Sequence, residues 1–159
     1  MENEAVIWSK IKAYCDKAER CHWDVQRKLI RMAVPFHEQG VWIAKLIEGN
    51  FLNEERFAHA YVHDHHAFKK WGWQKIKQGL KQKRISDALI SLVLKDIPKE
   101  EEWILLEACA IKKWKALAEP HPIKKKIKLT RYLFNKGFEA GAIQQMVNRL
   151  SGDESFEFE

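Results

Sequence analysis

Hydrophobic positions recur along almost the whole chain at spacings of three and four, the period of one helix face. The every-second-residue alternation of a half-buried strand is nearly absent. From about Glu4 to Glu19, Ile7, Ile11, Tyr14, Cys15 and Ala18 form one stripe. A second helix is expected from Trp23 to Ala33, stopped by Pro35, because proline disfavours helical geometry in the residue before it. Gly40 and Asn50 bracket a third around Val41, Ala44, Lys45 and Glu48. Asn53 can accept from the free amides of a fourth helix, with Glu54 and Glu55 where the helix dipole favours negative charge. That helix runs through Phe57, Ala60, Tyr61 and Phe68 to Lys70. Beyond Gly72 comes a fifth on Trp73, Ile76, Leu80 and Lys83; Ser86 then caps a short sixth holding Leu89, Ile90, Val93 and Leu94. The longest pattern, on Ile104, Leu105, Ala108, Ile111 and Trp114, spans Lys99 to Ala118. After Pro120 and Pro122, Ile123 to Lys136 is the eighth, Gly137 supplies its C-terminal turn, and Glu139 to Leu150 is the last.

Nine helices fall into three groups of three. Lys28-Leu29-Ile30-Arg31, Lys75-Ile76-Lys77-Gln78 and Lys128-Leu129-Thr130-Arg131 line up at spacings of 47 and 53 residues, each followed by a turn and a short amphipathic helix. The expected organisation is all-α: three tandem three-helix repeats over 1–51, 52–97 and 98–150, and an acidic tail over 151–159. A three-helix unit of this size buries little core alone, so the units are expected to pack end to end in an elongated, curved array.

Charge changes this picture, because it is uneven. The net charge of +6 divides into +1 over residues 1–50, +4 over 51–97, +5 over 98–150 and −4 over 151–159. An anionic partner is favoured, either nucleic acid or an acidic protein surface. No acidic residue occurs from Ala67 to Ser86, so the lysines there have no local sequence neighbour to neutralise them. Lys69, Lys70, Lys75, Lys77, Lys81, Lys83 and Arg84 form the first candidate surface. Lys124, Lys125, Lys126 and Lys128 with Arg131 form the second, near Lys112, Lys113 and Lys115; four lysines in five positions wrap around a helix, so only part can meet one partner. Trp71 is the best candidate for base stacking, with Trp73 turned between helices.

Other chemistries are weakly represented. His59 and His63 share a helix face near Asp64, His65 and His66, a conceivable metal half-site, but Ala60 stands where a hydrolytic zinc helix carries glutamate. Solvent-facing polar histidines are the expectation, with no metal or cofactor. Glu54 and Glu55 are explained by their helix start, and no nucleophile or glycine-rich phosphate loop accompanies them, so no enzyme is expected. Phe57 is expected in the core, and Arg56 is expected to lie over apolar surface and pair with an internal carboxylate. Cys15, Cys21 and Cys109 lack metal or redox spacing and read as reduced packing thiols. With no apolar run of membrane length and an acidic start, a cytosolic monomer is the default.

The segment FLNEERFAHAYV, continued by KKWGWQKIKQGLKQKRIS and closed by KLTRYLFNKGFEAGAIQQMV, resembles the RecX family of recombination regulators over roughly residues 13 to 150. That resemblance implies an all-α array of three-helix repeats that docks on the RecA–DNA filament, blocks its extension, and reduces strand exchange, ATP hydrolysis and co-protease activity. The chain departs from the family pattern at His22, at a loop expected over Pro35–Gly40, and at His65, His66 and Lys69, where arginines are common. Lysine and histidine do not reproduce arginine's bidentate fork. A helical module binding DNA directly, without RecA, is the alternative; an adaptor for an unrelated acidic partner is the third.

Overall fold

A computed structural model of the chain describes residues 3–152; the expected acidic tail lies outside them from residue 153 onward. Among the described residues there are nine helices and no strand: α1 Glu4–Lys17, α2 His22–Arg31, α3 Phe36–Glu48, α4 Glu54–Ala67, α5 Trp73–Gln82, α6 Asp87–Leu94, α7 Lys99–Ala116, α8 Pro122–Asn135 and α9 Ala140–Ser151. Their starts are set by the expected chemistry. Asn53 Oδ1 accepts from the Arg56 amide at 2.9 Å and Ser86 Oγ from the Leu89 amide at 3.2 Å. Where α2 begins, the Asp24 carboxylate takes the Cys21 amide at 3.2 Å, and Glu54 reaches from α4 to take the His22 amide at 2.9 Å.

Packing divides the described residues into two compact units, 3–61 with 80–93 and 62–79 with 94–152, the division falling inside α4 and α5 and before the last residue of α6. The first unit is centred on Ile11, Cys15, Val25, Leu29, Val34, Trp42, Leu46 and Leu52. In the second, Leu106, Cys109, Ala110, Leu129, Leu133, Phe138, Ile143, Met146 and Val147 fill the space between α7, α8 and α9.

Burial establishes the repeat register and corrects the alignment drawn from lysine patterns. The fully buried pairs are Val25 and Leu29, Ile76 and Leu80, and Leu129 and Leu133, so equivalent positions lie 51 and then 53 residues apart. The earlier spacing of 47 is one helical turn short: Leu29 corresponds to Leu80, not Ile76. Each helix of this set ends in the same way. Ala33, Arg84 and Gly137 adopt φ of 62°, 61° and 98°. The amides of the buried residues that follow, Val34, Ile85 and Phe138, return to the carbonyls of Leu29, Leu80 and Leu133 at 3.0, 3.1 and 3.3 Å. This is the left-handed helix terminus that satisfies the last carbonyls and turns the chain back onto its own core.

Several expected helix faces are rotated. Gly40 is not a boundary: α3 starts at Phe36 behind Pro35, and buries Gln39, Trp42 and Leu46 while Val41 is exposed. In α7 the inward face is Leu106, Cys109 and Ala110, whereas Ile104 and Ala108 face water. Phe68 lies beyond the end of α4 and is exposed. These helices carry apolar residues on more than one side, so periodicity alone admits two phases.

Candidate functional site

Lys69, Lys70, Lys75 and Lys136 of the second unit lie at or next to a close backbone crossing. The Gly72 amide donates to the Lys136 carbonyl at 2.7 Å, and the Gln74 amide donates to the Gly137 carbonyl at 2.9 Å. A Cβ on Gly72 would lie 2.6 Å from the Gly137 oxygen, and one on Gly137 2.4 Å from Lys75 Cβ, so this approach requires glycine at both positions. The crossing brings Lys136 beside Lys69, whose carbonyl accepts from Lys136 Nζ at 2.9 Å. Lys136 was not among the sequence candidates. Its only sequence signal is its place before Gly137, which does not reveal that the turn meets the α4–α5 joint.

On that joint, Lys70 closes back on the Ala67 carbonyl at 2.7 Å and Lys75 lies over the Trp71 ring at 4.6 Å. Trp71 also meets the His65 ring at 4.6 Å, so it is a half-buried platform holding a cation rather than an open stacking surface. Trp73 is likewise half-buried, and its amide donates to Glu102 at 2.8 Å. Along α5, Ile76 and Leu80 are fully buried, and Lys77, Gln78, Lys81 and Gln82 are exposed as the periodicity predicts.

The premise that the middle lysines have no acidic neighbours fails for two of them. Lys83 Nζ lies 2.8 Å from Asp24 Oδ1, a largely buried carboxylate, and also sits over the Trp23 ring at 5.3 Å. Lys81 Nζ is 4.0 Å from Asp87. Both partners come from outside the acid-free stretch, one of them through a fold contact 59 residues away. Lys69, Lys77 and Arg84 are exposed and have no ion-pair partner among the described residues.

The second candidate cluster separates in the same way. Lys128 pairs with Glu119 at 2.8 Å; that bond, with the His121 amide, holds the Glu119 carboxyl below its usual range. Lys125 covers the Trp114 ring at 4.1 Å and Lys113 the Tyr132 ring at 4.8 Å. Lys124 and Arg131 remain exposed, with no ion pair among the described residues.

Other candidates settle into structural roles. Arg56 meets Glu19 at 2.7 Å, and Phe57 is buried with its ring 5.9 Å from Tyr61. The histidines do not share one environment. His63 is exposed beside Asp64, and His59 faces Glu55, but His66 is corrected from a solvent-facing group: its mostly buried ring lies 3.4 Å from the equally enclosed Glu102. Among the described residues no group of three or more His, Cys, Asp or Glu is disposed to hold a metal ion, and no helix is long and apolar enough to cross a membrane. All three cysteines are free and buried. Burial raises the Cys15 thiol to about 11 and Cys21 to about 12.

Comparison with known proteins agrees with the repeat structure. Residues 53–94 match the family model described as RecX, second three-helix domain, and residues 100–147 match that of RecX, third three-helix domain. The chain is 33% identical over 107 residues to the regulatory protein RecX of Clostridium tetani, covering 66% of this chain and 49% of the relative. It is 32% identical over 114 residues to that of Clostridium perfringens, covering 70% and 53%. This chain therefore spans about half the length of the curated relatives it matches. Among solved structures, a crystal structure of regulatory protein RecX aligns with TM-score 0.82 at 22% identity, over 89% of this chain and 71% of that one. RecX from Lactobacillus salivarius aligns with TM-score 0.78 at 22% identity, over 90% and 93%. Those structures share the fold; the two family models, matched in order, and the named relatives supply the lineage. With buried repeats spaced by 51 and 53 residues and the second and third three-helix domains both recognised, the chain belongs to the RecX family.

Proposed function

We propose that the chain is a non-enzymatic regulator that binds the RecA–DNA filament and restrains it, lowering its extension, strand exchange, ATP hydrolysis and co-protease activity. The observation that carries this reading is the ordered match to two successive RecX domains over residues 53–94 and 100–147. The charge distribution supports it, since the excess of cations lies in those same two thirds of the chain. Within the candidate set, the side chains best suited to a phosphate-bearing or acidic partner are those left in solvent with no ion pair among the described residues: Lys69, Lys77, Arg84, Lys124 and Arg131, with Lys75 held on Trp71. Lys83 and Lys128 are spoken for by Asp24 and Glu119 and contribute to architecture first. In this reading the chain acts as a monomer in the cytoplasm, without a cofactor.

The test is to add the purified chain, at substoichiometric amounts and modest salt, to RecA strand exchange and to DNA-dependent ATP hydrolysis. Inhibition of both is expected; full activity of both would refute the proposal. Binding to bare single-stranded DNA as tight as to the filament would favour the direct DNA-binding alternative. That alternative also requires affinity to fall steeply with salt as each neutralised phosphate releases counterions.

A further inference from the structure

The glycine crossing borders a pocket of about 350 Å³, walled by the first two turns of α5, the end of α8 and the start of α9. All of these walls belong to the second unit. The volume is within the range of small-molecule sites, roughly 300–1,000 Å³. Its polar lining consists of the carboxamides of Gln74, Gln78 and Asn135, together with Lys75 and Glu139. Gln74 and Gln78 are four apart and so share one side of α5. All three carboxamides are exposed, and none makes a side-chain hydrogen bond among the described residues.

Phe134 adds an aromatic wall. It is 64% exposed and has neither a ring partner nor a cation over it among the described residues. Trp71 differs, because its ring already meets Lys75 and His65. An open aromatic face beside unpaired carboxamides has the chemistry that recognises an unstacked nucleobase. The ring stacks on the base, and each carboxamide offers an N–H and a C=O to its edge. Glu139 narrows the choice. A carboxylate opposes a phosphate in the same pocket, but it accepts from the exocyclic amine of a base. The pocket therefore suits the neutral base and leaves phosphate to cations outside it, such as Lys77, exposed on the same helix.

We infer that this pocket takes one unpaired base of a single DNA strand, stacked on Phe134 with its edge on Gln74, Gln78 and Asn135. The inference deepens the proposed function and rests on the chain reaching the DNA of the filament; it adds a contact to the base where the cations meet only phosphate.

The test is an NMR titration of the ¹⁵N-labelled full chain at low salt, with a short oligodeoxycytidine and with an abasic strand of the same length, which keeps the phosphates and lacks the bases. The side-chain amide signals of Gln74, Gln78 and Asn135 are expected to shift with the oligodeoxycytidine alone. That strand is also expected to bind at least about 5-fold more tightly than the abasic one, the lower end of what stacking one base supplies. Phe134→Ala, at an exposed position, is expected to remove the preference while leaving affinity for the abasic strand unchanged. Equal binding of the two strands overturns the inference, as does an abasic strand that shifts the same carboxamides. So does a Phe134→Ala chain that folds normally and keeps the preference, or failure of both strands to bind. No RecA enters this measurement, and inhibition of RecA by a chain that fails it leaves the proposed function standing, so the two failures are distinguishable.

Discussion

At the scale of single residues, lysine serves two purposes in this chain, and the two respond differently to mutation. Lys83 supplies the counter-charge to Asp24, whose carboxylate also caps the Cys21 amide and is largely buried. Removing the ammonium leaves a buried carboxylate with only its backbone bond. Lys83→Ala is therefore expected to lower stability by about 1–3 kcal/mol, below the range for fully buried pairs because the lysine is partly in water. Lys77→Ala, on an exposed position with no ion pair, is expected to stay within about 0.5 kcal/mol. Urea denaturation of the two variants side by side checks the contrast. The cysteines give a second prediction at this scale. Burial raises Cys15 to about 11 and Cys21 to about 12, so the thiolate, which is the nucleophile, is scarce in the folded protein at pH 8. Alkylation at pH 8 is expected to be slow until denaturant is added; rapid labelling of the native chain contradicts the packing described here. The sign for stability follows from the same shifts. The neutral thiols favour the folded state below the ordinary value of 9.0, and that contribution falls as pH rises from about 9 toward 11–12, because the unfolded chain ionises first.

Among the helices, the shared ending of α2, α5 and α8 separates what backbone conformation demands from what neighbours demand. Ala33 and Gly137 occupy equivalent positions with positive φ, one with a side chain and one without. At Ala33 the left-handed conformation costs about 1–2 kcal/mol for an L-residue. Ala33→Gly removes that cost and gives back part of it through a freer unfolded chain, for an expected gain of about 0.5–1 kcal/mol. At Gly137 a Cβ would also lie 2.4 Å from Lys75 Cβ and 2.6 Å from the Lys75 amide nitrogen. Gly137→Ala must therefore open the crossing as well as strain its own backbone, and a loss of about 3 kcal/mol or more is expected, read as a lower melting temperature. The sequence made Gly137 legible as a helix terminus, but not as half of a glycine–glycine contact, because its partner is 65 positions away and chemically silent. Helix identities and most boundaries were legible too, since Asn53, Ser86, Pro98 and Gly137 act locally. Rotational phase was not legible where apolar residues surround the helix, as at Val41 and Ile104. The repeat register drawn through lysines slipped by one turn because surface lysines do not report depth, whereas Val25, Ile76 and Leu129 do.

For the molecule as a whole, charge is what distinguishes a working surface from a solvated one, and the candidate surface was only partly legible for the same reason that the register slipped. A stretch without acids looks unneutralised until folding brings in Asp24 from another helix. The face of α5 can still be tested as a unit, because its buried side, Ile76 and Leu80, is untouched by changes opposite it. Glutamate at 75, 77 and 81 reverses three charges. A negative charge near the start of α5 is favoured by the helix dipole at position 75, while like charges at 77 and 81 oppose by a few tenths of a kcal/mol. Losing the Lys75–Trp71 contact and setting a carboxylate beside Asp87 cost about 0.5–1 kcal/mol each at these partly solvated positions, so helicity is expected to hold and the melting temperature to fall by only a few degrees. If this face meets the filament, Lys75→Glu with Lys77→Glu and Lys81→Glu abolishes inhibition of DNA-dependent ATP hydrolysis even at low salt, where attraction between cations and phosphate is strongest. A variant that folds normally and still inhibits as well as the unmodified chain assigns the contact elsewhere, and Lys124 with Arg131 on α8 then becomes the pair to reverse.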